Sequence, residues 1–454
     1  MKKIRNLLTV SAAMLCACTM TGCGGNSGVE QIKETNKEII AEAQTLSRDE
    51  LMKKAAEEIG GGTLKFIGTS SRFKNAIDAF KAELSKYNPD CANMTITTDT
   101  AVDGEIYLTL CGEIEAGISD GYDAALVQDG YQLQNLGINT GYFLNYVPKE
   151  WNDDPETNKD LNSNPFSLQY NMKTWMVNNG GSGADVVLDN VWDVTVDGAR
   201  IHTMSPDNEN VNRDWLIMLT GDEWCSVLEE AFNDPTNDNK DLDLKPYEKY
   251  GDQKYAYAFI EGFLKNAIFY ADDGAARDAF MKDQGGFGWI VYSKIASIQE
   301  TAAITKKDIT IAALGKDATD GATQGASKVK GFGGFMYKHY LQVMPYSAHP
   351  WTSCAFINFL STTKEGYSAW AVDIGDYPSM PSINVDRTKY GHGTLGSDYT
   401  WTQDDNAENV FSCLNDPASS WWEDQANVVI EDPAYIVGEY NNVDSFIRQV
   451  IANK

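Results

Sequence analysis

Leu64-Lys65-Phe66-Ile67-Gly68-Thr69-Ser70-Ser71-Arg72-Phe73 reads as a strand that runs through a polar turn into a helix. Apolar residues in Leu64–Gly68 alternate too closely for a helix and suit a pleated strand. From Phe73 onward the period changes. Phe73, Ile77, Phe80, Leu84 and Tyr87 recur every three or four residues, which places them on one helix face. The pattern then repeats outward. Met94–Thr98 predicts a second strand, about 103–116 a helix, and Tyr122–Val127 a third strand. Strands alternating with helices imply a parallel α/β sheet whose sites lie at the strand C-terminal ends. The Thr69–Arg72 turn and Asp129-Gly130 occupy such ends.

Upstream, Gly60-Gly61-Gly62 closes a helix expected over about 30–58, and Gly24–Glu30 is a small, polar spacer suited to a tether. Lys2, Lys3 and Arg5 precede an apolar run from Leu7 to Met20, which has the character of a secretory signal. That run is too short to span a membrane as a helix. Met20-Thr21-Gly22-Cys23 resembles a bacterial lipobox, which implies cleavage before Cys23 and a diacylglyceryl group on its sulfur. The mature protein is then expected outside the cytoplasm, anchored to the bacterial cell membrane through that lipid, since two acyl chains anchor stably.

Downstream, 152–165 is an Asn/Asp-rich loop and Thr174–Asn178 is strand-like. Helices are expected at 209–233 and 254–270, and strands at Phe287–Tyr292 and Asp308–Leu314. Pro350 suits the first turn of a helix through Leu360. The chain has 454 residues and a formal charge of −28, which suits two or three lobes and disfavours nucleic acid or an anionic membrane surface as partner. Beyond the signal and Cys23, the cysteines are 91, 111, 225, 354 and 413, an odd number, so at least one is unpaired. A Cys91–Cys111 bridge is one pairing the spacing allows, and Cys354 reads as a buried thiol.

Several blocks, taken in order, resemble the extracellular solute-binding proteins of ABC transporters. They are Glu50–Glu58 followed by Leu64–Gly68 and Thr69–Arg72; Glu113–Gly117 with Tyr122–Asp129; Gly141–Pro148; Trp192-Asp193-Val194-Thr195; and His349-Pro350 to Phe359-Leu360. The resemblance covers roughly residues 50–380 and spans both the sugar branch and the ferric, polyamine and phosphonate branch. It implies a type II periplasmic-binding-protein-like α/β fold: two lobes, each a sheet flanked by helices, joined by crossing strands near 166–178, 312–330 and 360–380. The implied division is a signal at 1–22, an anchor, tether and leading helix at 23–60, one lobe from 61–170 plus about 316–365, and a second from 171–315 plus about 366–454. The tail beyond 385 is less typical of the family. The resemblance also implies a monomer that binds a small-molecule solute, closes over it and docks on a membrane permease, with no cofactor and no metal.

The candidate ligand residues follow from chemistry and position. Thr69, Ser70, Ser71 and Arg72 offer hydroxyls, a cation and free amides at a helix start, although simple N-capping explains the hydroxyls equally. Asp129 is a carboxylate suited to sugar hydroxyls or a cation, or else a loop cap. An indole face suits the apolar face of a pyranose, so Trp192 and Trp289 are candidates, the latter with Tyr292 in Gly285–Tyr292; core packing is the alternative for each. Asp376 and Tyr377 sit in a turn at the third expected crossing. Aromatic richness favours a carbohydrate; ferric iron, a polyamine or a phosphonate are the alternatives. A surface glycoside hydrolase is a further competitor, and it requires a carboxylate pair flanking one bond. The chain carries no G-x-S-x-G, H-E-x-x-H or Walker motif, and its four histidines, 202, 339, 349 and 392, lack metal-ligand spacing. The expectation is a binding protein, not an enzyme.

Overall fold

A computed structural model describes residues 27–178, 186, 188–291, 294, 309–311, 329–370, 376–383 and 428–454. Its strands are β1 (Thr63–Gly68), β2 (Thr95–Thr100), β3 (Ala124–Val127), β4 (Ser167–Asn178), β5 (Ile201–Met204), β6 (Ala267–Tyr270), β7 (Phe287–Val291), β8 (Ile309–Ile311), β9 (Gly334–Val343), β10 (Asp376–Pro378) and β11 (Val428–Ile430). They form one curled sheet in the order β2-β1-β3-β9-β4-β7-β5-β6, with β8 and β10 on β4 and β11 on β9. The longer helices are α1 (Ser27–Ala43), α2 (Arg48–Ile59), α3 (Ile77–Leu84), α4 (Asp103–Glu115), α5 (Asn210–Met218), α6 (Asp222–Asn233), α7 (Lys254–Asn266), α8 (Asp273–Phe280), α9 (Pro350–Thr362) and α10 (Pro433–Ala452). None of the described helices is long and apolar enough to cross a membrane.

The opening strand behaves as its alternation demands. β1 pairs in parallel with β2 and β3. Leu64 and Phe66 point into a core with Phe73, Phe80 and Phe356, while Ile67 points the other way, toward Ile106, Tyr107 and Leu110 of α4. β3 repeats this, with Ala124 and Leu126 on one face and Ala125 and Val127 on the other. The sheet is therefore covered on both faces, as parallel strands require. Each such apolar side chain contributes about 1.5–3 kcal/mol on burial.

The Cys91–Cys111 bridge that the spacing allows does not form; Cys91, Cys111, Cys225 and Cys354 are free thiols. Cys91 packs beneath the Phe66 face, and Cys111 rides on α4 across the sheet. The helix expected over 30–58 is two helices, because Ser47 and Glu50 form a reciprocal capping box that starts a new one.

A second core gathers Trp175, Trp192, Trp215, Trp289, Phe259, Phe263 and Phe332. Two strands belong to both cores. β4 contributes Leu168 to the first and Trp175 and Val177 to the second; β9 contributes Phe335 and Tyr337 to the second, and Leu341 and Val343 to the first. They run antiparallel side by side, with Lys173 opposite Phe335 and Asn171 opposite Tyr337. Thus two α/β units share one pair of crossing strands. β10 adds to β4 at Gln169–Asn171, at the waist between the units.

Candidate functional site

The waist is built on its first side by the turn after β1. Gly68 packs so closely that an added Cβ would lie 3.0 Å from Leu126 Cβ and 3.1 Å from the Phe73 ring, so the chain leaves the sheet there without a side chain. The Thr69 amide donates to Leu126 O at 3.1 Å. Ser70 Oγ accepts from the Arg72 amide at 3.3 Å, which is the capping role. Thr69 Oγ1 is buried and finds no partner among the described residues. Arg72 is half-buried; its Nη1 donates to Trp370 O at 3.2 Å, and the guanidinium lies 5.6 Å from the centre of the Trp370 ring. Ser71 is exposed.

The end of β3 supplies Gln128 and Asp129. The Gln128 side chain meets one ring nitrogen of His339 on β9. Gln169 Nε2 on β4 meets the other, Nδ1, at 2.7 Å, and Tyr367 Oη donates to Gln169 Oε1 at 3.0 Å. This polar chain crosses three strands with each nitrogen of the imidazole met. Burial, helped by the Arg72 charge, lowers the His339 pKa to about 3, so the ring is neutral across the physiological range.

Asp129 has no exposed surface. Its Oδ1 accepts from the Gln132 amide at 2.8 Å, and its Oδ2 from the side chain of Asn210, the first residue of α5. Asp129 follows a strand of the first unit, whereas α5 packs its Trp215, Leu216 and Ile217 into the second core. The Asp129–Asn210 bond therefore ties the two units together across the waist.

The second unit also presents a buried ion triad. Lys173 on β4 has no exposed side chain; Nζ pairs with Glu209 and lies 3.5 Å from Asp273 Oδ1. Burial opposes the ammonium, but the Asp273 and Glu209 charges outweigh it and hold its pKa above the ordinary value. Burial pushes Glu209 up to about 7 in spite of Lys173.

The predicted residues thus separate. Thr69, Ser70 and Arg72 form the turn beside Trp370, with the Arg72 charge acting on His339, while Asp129 turns to Gln132 and Asn210. Trp192 and Trp289 lie fully inside the second core. Trp192 Nε1 donates to Leu228 O at 3.0 Å, and Trp289 stacks on Trp215 at 4.1 Å. Asp376 and Tyr377 lie on β10, opposite Asn171 and Tyr170. Tyr292 and Cys23 lie outside the described residues. Gln128, Gln169, Lys173, Glu209, Asn210 and His339 were not singled out from the sequence. A lysine and a glutamine inside an otherwise buried strand-like run were the available signal for two of them.

No family model matches the chain, and no curated protein does. Solved structures do. The iron-bound HitA of Pseudomonas aeruginosa is 12% identical and superposes with a TM-score of 0.53 over 86% of this chain and 99% of its own. The Bordetella ferric binding protein is 9% identical, with a TM-score of 0.51 over 86% and 98%. The fold is that of the two-lobed, type II periplasmic-binding-protein-like class, as the two cores and shared crossing strands define it.

Proposed function

We propose that this chain is the solute-capturing receptor of an ABC importer, held outside the cytoplasm by a lipid on Cys23, and that it delivers a small solute to the membrane permease. The observation that carries this reading is the waist. Two separately cored units share strands β4 and β9, and polar groups from both units meet beside them. Binding there needs groups that hold and orient a ligand, with hinge motion closing the units over it. Thr69, Ser70, Ser71 and Arg72 are the proposed contacts of one unit, with Gln128 beside them; Glu209 and Asn210 are those of the other. No reaction is proposed.

The proposed ligand is a small polyhydroxylated solute, a carbohydrate first. Thr69 Oγ1, buried and unpaired among the described residues, and the Ser70 and Ser71 hydroxyls are groups that suit sugar hydroxyls. The stacking platform is not Trp192 or Trp289, whose rings are enclosed; Trp370, fully buried beneath Arg72, does not offer one either. Ferric iron is the second reading, favoured by the likeness to HitA and the Bordetella ferric binding protein. A thermal-shift panel of sugars, ferric citrate, polyamines and phosphonates separates them. A ligand at about 100 times its Kd adds about 2.7 kcal/mol, a shift of a few degrees. The expected result is a shift with one sugar class that Arg72→Ala and Asn210→Ala both diminish. A shift with ferric citrate alone replaces the ligand assignment, and a shift indifferent to both variants removes the site from the waist.

A further inference from the structure

Three carboxylates from different elements meet behind the Asp129–Asn210 tie. Asp129 follows β3, Asp214 lies on α5, and Glu431 follows β11; all three have no exposed surface. Neither oxygen of Asp214 makes a hydrogen bond among the described residues, although the Tyr131 amide lies near enough to favour its charge slightly. Glu431 Oε2 accepts from Tyr340 Oη at 2.7 Å and from the Lys338 amide at 3.0 Å, but its Oε1 has no partner. An added Cβ on Gly130 would lie 2.7 Å from that Oε1, so a glycine admits the carboxylate against the backbone next to Asp129.

The neighbouring cations favour the charged acids through space, Lys338 at Glu431 and Arg213 at Asp129 and Asp214, without outweighing burial, and they make their hydrogen bonds elsewhere. Arg213 pairs with Asp207 at 2.7 Å and Asp444 at 3.0 Å, and its Nη1 donates to Tyr440 Oη at 3.1 Å. Lys338 donates its ammonium hydrogens to Leu161 O at 2.6 Å. Arg448 pairs with Asp444 and Asp207. The remaining titratable groups that face the junction do not add positive charge. They are Asp103 and Tyr107 from α4, Tyr340 from β9, Tyr131 after Gly130, and Tyr440 and Asp432 around α10. Among the described residues, no three His, Cys, Asp or Glu side chains gather so as to hold a metal ion. Like charges in a dry junction with no hydrogen-bonded cation are relieved by protons.

We infer that closure of the two lobes is proton-coupled at Asp129, Asp214 and Glu431, so that mild acid favours the closed form and alkali opens it. The junction spans both units: Asp129 and Tyr340 belong with the first, while Asp214 and α10 pack into the second. Separating them hydrates the acids and lets them ionise. Burial, followed by the charges of Asp129 and Glu431, raises Asp214 well above the carboxylate range. Burial lifts Glu431 to about 7, and burial with the Asp129 charge lifts Asp103 to about 8. Acids whose pKa is higher when closed bind protons on closure. Their stabilisation is therefore complete below the open-state values and is lost as pH rises toward the closed-state ones.

The inference uses the two-lobed frame and not the ligand's identity, so a failed ligand panel leaves its test intact. The test is small-angle scattering of the ligand-free protein at pH 6 and pH 9, for the wild type and for Asp214→Asn with Glu431→Gln. Each titrating acid shifts the closed-to-open ratio by up to about tenfold per pH unit. The expected result is a larger radius of gyration at pH 9 for the wild type and a smaller difference for the variant, which keeps only Asp129 and Asp103 to titrate. Equal wild-type radii at the two pH values overturn the inference, and so does an undiminished difference in the variant. Should the double variant not fold, Asp214→Asn alone carries the same comparison, with a reduced difference expected and an unchanged one decisive against it.

Discussion

The two buried polar regions of the waist are built on opposite rules. Around His339 and Lys173 each group has a partner: the His339 nitrogens meet Gln128 and Gln169, and Lys173 meets Glu209 and Asp273. At the junction of Asp129, Asp214 and Glu431, acceptors outnumber donors, and three carboxylate oxygens stay unpaired among the described residues. A matched network is stabilising and holds one geometry, because breaking it strands a buried polar group. An unmatched one is conditional, since its energy depends on how many protons it carries. In the proposed closure, the strands that persist carry the matched clusters at His339 and Lys173, and the contact that breaks carries the unmatched one.

The comparison breaks hardest at Lys173. Lys173→Met leaves Glu209 and Asp273 buried without their cation, and the expected loss is about 3–5 kcal/mol by denaturant unfolding. A loss under about 1 kcal/mol would mean the triad is not the fastener described. His339→Leu comes next, with an expected cost of about 1–3 kcal/mol from stranding Gln128 and Gln169. Its pH signature is opposite in sign to that of the acid junction. The His339 pKa is lowered on folding, so its contribution is present above the ordinary imidazole value and lost as pH falls from about 6.5 toward about 3. The wild-type minus His339→Leu stability difference should therefore shrink on that acid limb, and a flat difference would contradict a buried neutral ring. The smallest effect is expected for Tyr440→Phe, which removes the acceptor of Arg213 Nη1 but keeps the ring stacked on Tyr131 at 3.5 Å. Thermal melts should register about 0.5–1.5 kcal/mol. A greater loss would place the C-terminal helix among the matched, rigid elements instead of the conditional ones.

How much of this was legible in the sequence differs by residue. The strand and turn from Leu64 to Arg72 were readable because period and turn chemistry are local. Asp129 was readable as a polar group at a strand end. Trp192 and Trp289 were not readable as core residues, since an indole suits a stacking surface and a core equally well. Their burial depends on Phe259, Phe232 and Trp215 arriving from helices elsewhere in the chain. Asp214 and Glu431 gave no signal at all among 65 acidic residues.

The sequence by itself determined the alternation of strands and helices and the polar turn at Thr69–Arg72, because these depend on neighbours within a few residues. Only the tertiary structure decided which polar residues meet at the waist. Lys338 and Glu431 lie 93 positions apart in the chain, Asp129 and Asn210 lie 81 apart, and Gln169 and His339 lie 170 apart. Contacts over such separations follow from how two cores share two crossing strands, and no local periodicity encodes them.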